Sequence, residues 1–161
     1  MKQVNIEKVT LNIGCGTKTN IEHAKKILEN FSERKVVITK TKKRSTFNVP
    51  KNKDIGVKVT IRKGTEEVLK RLLEAKDYKL KAGNFDNKGN FAFGIKEYID
   101  IPSMEYDPKI AILGFDVCVT LQRPGYRVKR KKLATKIGKK HLITKEDAMN
   151  FAKEKLNVTI E

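Results

Sequence analysis

Strict alternation of apolar and polar residues recurs along the chain and predicts β-strands with one buried face. Val9, Leu11 and Ile13 alternate with Lys8, Thr10 and Asn12. Ile55, Val57, Val59 and Ile61 alternate with Gly56, Lys58, Thr60 and Arg62. Phe91, Phe93 and Ile95 make a third set, and Phe115, Val117, Val119 and Leu121, backed by Asp116, Cys118, Thr120 and Gln122, a fourth. The β-branched run Val36-Val37-Ile38-Thr39 adds a short strand before the second set.

Helical spacing lies between these strands. Thr19 with Glu22 reads as a capping box opening a helix whose apolar stripe is Ile21, Ala24, Leu28 and Phe31. Thr65, with Glu66 and Glu67 in the first turn, opens a second helix that turns Val68, Leu69, Leu72 and Leu73 inward. Thr144 caps a last helix containing Ala148, Phe151, Ala152 and Leu156, and Val158 to Ile160 adds a short edge strand. Residues 78–90 read as a loop with turn signals at Asn84, Asn87 and Gly89, and residues 101–107 as irregular around Pro102 and Pro108. No repeat or low-complexity linker divides residues 1–161, so a single domain is expected. Its class is α+β: a two-layer sandwich, with helices packed on one face of an antiparallel sheet and the other face bare.

That bare face carries Lys8, Thr10 and Asn12 from one strand and Lys58, Thr60 and Arg62 from another. Hydroxyls, an amide and cations suit the sugars and phosphates of a nucleic acid. The aromatic residues fall on the opposite parity, so the face lacks a stacking platform, and folded RNA fits better than a single strand.

Charge sharpens the reading. The 161 residues hold 36 Lys and Arg against 19 Asp and Glu, a net of +17. Residues 34–63 hold eleven bases opposed by Asp54 alone, and residues 123–161 hold twelve bases against four acids, while the rest is near neutral. The first run is an arm with Lys40, Lys42, Lys43, Arg44, Lys51 and Lys53; the second is densest over residues 123–140. Each includes an aromatic residue, Phe47 or Tyr126. Such local concentration points to a phosphate-bearing partner rather than to solubility.

Catalytic readings fare poorly. Gly14-Cys15-Gly16 after a strand resembles a dinucleotide or S-adenosylmethionine loop, yet the next strand ends in lysines where an acidic ribose ligand is needed. A turn requiring glycine is the better account. Cys15 and Cys118 are isolated and read as small strand residues of a reducing compartment. His23 and His141 each stand alone and read as exposed or RNA-facing. Glu97, Asp100, Glu105 and Asp107 cluster without the marks of an acid–base pair and read as a solvated rim. No triad, P-loop or metal signature occurs, so neither enzyme activity nor a cofactor nor a metal is expected. No apolar run approaches about 18 residues and the N-terminus lacks a signal-peptide pattern, so the expected location is cytosolic, with no membrane partner.

Several blocks together resemble the archaeal and eukaryotic branch of the large-subunit ribosomal protein numbered five, over nearly the whole chain. They are Ile6-Glu7-Lys8-Val9 through Asn12-Ile13-Gly14, Thr39 to Lys43, and Ile55 to Thr60. Gly89-Asn90-Phe91 through Phe93-Gly94-Ile95-Lys96-Glu97, Tyr106-Asp107-Pro108 and Arg123-Pro124-Gly125-Tyr126-Arg127-Val128 follow. His141 with Ile143-Thr144-Lys145-Glu146-Asp147-Ala148 completes the set.

The resemblance implies a non-enzymatic constituent of the large ribosomal subunit that holds 5S rRNA in the central protuberance. The family's sheet face grips 5S rRNA at positions falling here on Asn12, Thr60 and the end of the first helix. With their neighbours this makes Lys8, Thr10, Asn12, Arg34, Lys40, Lys58, Thr60 and Arg62 the expected 5S-binding set. The family's arm reaches the P-site tRNA, which implicates Lys43, Arg44, Phe47, Asn48, Lys51 and Lys53. Arg123, Tyr126, Arg127, Lys129, Arg130, Lys131 and Lys132 are expected to make further RNA contacts, large-subunit rRNA included. Tyr106-Asp107-Pro108 resembles the surface facing a small-subunit protein across an intersubunit bridge, one of several expected ribosomal-protein neighbours. Two places depart from the family: Ser32-Glu33-Arg34 replaces Thr-Gly-Gln, leaving Arg34 for the RNA contact there. At the arm tip, Asn48-Val49-Pro50-Lys51-Asn52-Lys53 replaces an arginine- and glycine-rich sequence. Alternatives are an RNA-folding or assembly factor with the same face, and an RNA methyltransferase built on Gly14-Cys15-Gly16.

Overall fold

The computed structural model describes residues 1–16, 19–32, 34–44, 49–102 and 104–161. Its strands are β1 (Asn5–Gly14), β2 (Val37–Lys40), β3 (Asp54–Ile61), β4 (Lys79–Leu80), β5 (Phe91–Ile95), β6 (Phe115–Gln122) and β7 (Thr159–Ile160). Its α-helices are α1 (Ile21–Ser32), α2 (Thr65–Glu74) and α3 (Lys145–Leu156). Five strands form an antiparallel sheet in the order β2-β3-β1-β6-β5, so the fold is α+β, as the alternation predicts. Contacts within the chain cluster into two compact units. One comprises Met1–Val9, Arg62–Phe93 and Cys118–Glu161, the other Thr10–Ile61 and Gly94–Val117.

In the unit built on Thr10–Ile61, α1 lies against β3. It buries Ala24, Ile27, Leu28 and Phe31, an i, i+3, i+4, i+7 set. The stripe is therefore rotated from the expected one: Ile21 is half-buried and Ile27 fully buried. The helix start moves with it, because the Glu22 amide donates to Asn20 Oδ1 at 2.9 Å. Asn20, not Thr19, satisfies that first-turn donor. Phe31 meets Phe115 with ring centroids 6.4 Å apart.

β2 pairs antiparallel with β3 in the register Val37↔Lys58, Ile38↔Val57, Thr39↔Gly56, with an irregularity between Thr39 and Lys40. As an edge strand, β2 leaves Val37 and Ile38 exposed although both are β-branched; only Val36 just before it is buried. At the centre of the unit the backbones come very close. A Cβ at Gly56 would lie 2.5 Å from the Ile13 carbonyl oxygen and 3.2 Å from Thr39 Oγ1.

In the other unit, α2 starts at Gly64, whose φ of 69° needs no side-chain cap to turn the chain, and buries Leu69, Leu72 and Leu73. Val68, expected inside, is half-buried. Beyond α2, Asp77 and Tyr78 adopt positive φ and reverse the chain into β4. β4 pairs parallel with β7 through Lys79↔Thr159 and Leu80↔Ile160. The stretch 78–90 thus contains a strand, and the end of the chain closes a small second sheet rather than edging the first. Two-residue strands are too short to show alternation, which is why the sequence reads as loop there. α3 begins as predicted, with a capping box in which Thr144 and Asp147 exchange side-chain and backbone bonds.

Gly56→Ala is expected to destabilise the protein, because backbone rather than a flexible side chain must yield. An overpacking cost of about 1–3 kcal/mol corresponds to a melting temperature lower by roughly 3–10 °C. An unchanged melting curve would show that β1 and β3 are not held as closely as described.

Candidate nucleic-acid interface

In β1 and β3, burial of Leu11, Ile13, Val57, Val59 and Ile61 sends the intervening side chains the other way. Thr10, Asn12 and Thr60 are half-buried between neighbouring strands and Lys58 is exposed. The β2 register adds Val37 and Thr39, opposite Lys58 and Gly56, to the same side. These two were not singled out from the sequence, where the run Val36 to Thr39 has no alternation to assign a face. An added Cβ at Gly14 meets nothing within 4 Å, so the space beside this end of β1 is open. The result is a surface of three hydroxyls, an amide and an ammonium. Lys8 and Arg62 belong to the other unit, where Lys8 is half-buried, 3.9 Å from Glu7, and Arg62 is exposed just past β3. Arg34 is exposed after α1.

The arm leaves this sheet through a closed neck. Thr41 Oγ1 donates to the Pro50 carbonyl at 2.6 Å and accepts from the Lys53 amide at 3.0 Å. Its backbone bonds Lys53 and Asn52 at 2.9 and 3.0 Å. Lys40 lies 3.6 Å from Asp54, the single acid of the run, with both partners largely exposed. Such a pair is worth little in water, so Lys40 stays available to a phosphate. Lys43, Arg44, Lys51 and Lys53 are exposed beyond the neck. Phe47 and Asn48 lie outside the described residues.

The second basic run uses part of its charge internally. Arg123 has little exposed side chain and donates to Asp147 Oδ2 at 2.9 Å and to the Leu142 carbonyl at 3.2 Å. Tyr126 is buried; its hydroxyl donates to the His141 carbonyl at 3.1 Å and accepts from the Ile143 amide at 2.9 Å. His141 Nε2 donates to the Pro124 carbonyl at 2.8 Å, and its ring meets Tyr126 edge-on. Arg123 and Tyr126, expected to touch RNA, are therefore corrected to supports of the fold, and His141 joins them. Arg130 pairs with Glu7 at 2.5 Å and Lys129 lies 5.1 Å from the Tyr126 ring centroid. Arg127, Lys131 and Lys132 are exposed. The sequence could not reveal these supports, because their partners lie 15 to 24 residues away.

The catalytic decoys resolve into structure. The Cys15 and Gly16 amides both donate to the Ile55 carbonyl, at 2.9 and 3.0 Å, so the donors a cofactor phosphate would need are engaged. Cys15 is buried, which pushes its thiol above its usual range, away from the reactive thiolate. Cys118 lies on the exposed side of β6. His23 accepts from the Ala111 amide at 3.3 Å through Nδ1, a local tie rather than a ligand. Among the described residues no cluster of His, Cys, Asp or Glu fits a metal, and no helix is long and apolar enough to cross a membrane.

Comparison with known proteins supplies the family. The family profile for the C-terminal part of the ribosomal uL5 proteins matches residues 54–155. The large ribosomal subunit protein uL5 of Sulfolobus acidocaldarius is 45% identical over 164 residues, covering 99% of this chain and 92% of the relative. Those of Nanoarchaeum equitans and Nitrosopumilus maritimus are 42% and 43% identical, each covering 99% of this chain and 97% and 95% of the relative. The chain belongs to the ribosomal uL5 family. It is accordingly a structural, non-enzymatic ribosomal protein acting in the cytoplasm, on the ribosome. The methyltransferase alternative falls with this membership and with the engaged amides of Cys15 and Gly16.

Membership in the uL5 family gives the Arg123–Asp147 pair a setting, since it ties a basic segment to the start of α3. The Thr144 backbone amide, 3.0 Å from Asp147 Oδ2, holds this carboxyl below its usual range, helped by the Thr144 hydroxyl and the Arg123 guanidinium against a burial penalty. A lowered folded-state value contributes stability above the unfolded value of about 4, and that contribution is lost as pH falls through the folded value. Thermal melts of the wild type and Asp147→Asn are expected to differ at neutral pH and to converge below about pH 4. A gap that stays constant down to pH 2.5 would show that the carboxylate charge is not what the fold uses.

Proposed function

We propose that this protein is a structural constituent of the large ribosomal subunit that binds 5S rRNA through the sheet face and anchors it in the central protuberance. The observation that carries this reading is the absence of any carboxylate among Thr10, Asn12, Lys58 and Thr60, which β1 and β3 hold on one side. Half-buried hydroxyls and an amide are fixed by neighbouring strands, so they lose little freedom on meeting a 2′-hydroxyl or phosphate oxygen. Lys8, Arg34, Lys40 and Arg62 extend the set. The archaeal relatives named as large ribosomal subunit proteins support the location.

The arm, with Lys43, Arg44, Lys51 and Lys53 beyond the Thr41 neck, contacts the P-site tRNA. The surface around Tyr106 faces a small-subunit protein. This last assignment is supported by a pinned, exposed loop: Tyr106 is 58% exposed, while the Asp107 amide donates to the Tyr98 hydroxyl at 3.3 Å and the Lys109 amide to Asp107 Oδ1 at 2.9 Å. Remaining RNA contacts fall to large-subunit rRNA.

Asn12→Ala combined with Thr60→Ala is expected to lower 5S rRNA affinity roughly thirtyfold, from two lost hydrogen bonds at about 1 kcal/mol each, with an unchanged melting curve. Equal affinity in a filter-binding titration would refute the sheet-face assignment. Replacing Lys42, Lys43 and Arg44 by Ser is expected to spare most 5S binding and to reduce tRNA occupancy of reconstituted ribosomes. Abolished 5S binding would show instead that arm and face serve one RNA.

A further inference from the structure

We propose that residues 124–143 form a pre-organised platform for the phosphates of double-stranded RNA, a site whose residues are separate from those of the sheet face. The proposal rests on the reading that this protein binds RNA, and goes beyond it in naming the site and the form of RNA that it takes.

The segment is a long loop whose two ends are fastened together. Pro124 and Tyr126 at one end hold His141 and Ile143 at the other through three hydrogen bonds of 2.8 to 3.1 Å. Gly125 makes the tight turn between them with φ 96°, a conformation other residues rarely adopt. Arg123 fastens the start of the loop to Asp147, and Arg130 fastens its middle to Glu7, whose side chain is only 9% exposed. A bond from the Thr135 amide to the Val128 carbonyl at 3.4 Å crosses the interior. A fastened loop of this kind behaves as one compact body rather than as a loose tail.

The fastening divides the charge. Of the nine bases between residues 123 and 140, Arg123, Lys129 and Arg130 meet internal partners. Arg127, Lys131, Lys132, Lys136, Lys139 and Lys140 are exposed and make no ion pair among the described residues. Residues 117–145 include no carboxylate to compete for them.

Two features select the form of the RNA. Tyr126, the one aromatic residue of the segment, is 5% exposed, so an unstacked base finds no ring to lie on. A fixed array of cations also favours a partner whose phosphates are already fixed. An A-form duplex meets that condition without ordering, whereas a single strand must be ordered to match.

The test uses the full chain and three labelled probes titrated over a range of salt: a blunt RNA duplex of about 16 base pairs, an oligouridine of equal length, and 5S rRNA. Changing Lys131, Lys132, Lys136, Lys139 and Lys140 to Gln is expected to weaken duplex binding at least tenfold. The log–log salt slope should become shallower by about 3 to 4. Tyr126→Phe keeps the ring and removes both hydroxyl bonds; it should weaken duplex binding about fivefold and leave oligouridine binding unchanged. The Asn12→Ala, Thr60→Ala variant should keep full duplex affinity while losing 5S affinity. Equal losses on duplex and oligouridine, or an unchanged slope in the glutamine variant, would overturn the platform. Intact 5S binding without duplex binding would overturn the platform alone, and no RNA binding at all would overturn the underlying reading too. The five lysines are exposed, so the glutamine variant remains informative should Tyr126→Phe melt early.

Discussion

Burial of Val57, Val59 and Ile61 fixes what the opposite side of β3 can present, because successive side chains of a strand point to opposite faces. A one-residue slip would expose all three and bury Lys58 in their place. At about 1.5–3 kcal/mol for each aliphatic side chain, this outweighs the fraction of a kcal/mol expected from an exposed ion pair such as Lys40–Asp54. Register is therefore set by the core, and Thr60 and Lys58 are held in place by residues that never meet solvent. The same constraint acts in β1 through Leu11 and Ile13, which fix Thr10 and Asn12. The contact of Gly56 with the Ile13 carbonyl brings the two polar sets together, since a side chain there would drive the strands apart.

Cations are supported in two different ways. At the arm neck, neutral bonds from Thr41 to residues 50–53 close the hairpin and leave Lys43, Arg44, Lys51 and Lys53 unused beyond it. In residues 123–143 some cations are themselves the supports, with Arg123 on Asp147 and Arg130 on Glu7. An arginine fork suits this work better than a lysine, because it reaches carboxylate and carbonyl at once, as Arg123 does with Asp147 and Leu142. The lysines of the segment, hydrated point charges on flexible stems, are left at the surface.

What could be read from the sequence follows the length scale of each signal. Alternation over five to ten residues located β1, β3, β5 and β6, and the Thr144 to Asp147 spacing located the start of α3. Two-residue strands carry no period, so β4 and β7 were invisible until Tyr78 and Thr159 were seen side by side. The cap of α1 moved from Thr19 to its neighbour Asn20, a shift that residue preference cannot resolve, since both side chains cap well. The class of partner was legible from local charge, but the roles inside the charged run were not. Arg123 and Tyr126 look like surface contacts in a basic stretch and become internal only through Asp147, His141 and Ile143.

Gly14-Cys15-Gly16 shows why the chemistry of this protein resides in side chains. A glycine turn after a strand binds phosphate only if its amides point at open space. Here the Cys15 and Gly16 amides are spent on Ile55, closing the end of β1 onto β3. With that backbone site engaged, anion binding falls to lysine and arginine side chains, whose long stems reach phosphates at many positions without reading bases. A grip of this kind weakens steeply with salt and carries little sequence preference. Discrimination must then come from the short, strand-fixed groups, Thr10, Asn12 and Thr60, whose positions the core sets and whose bonds a wrongly shaped RNA cannot complete.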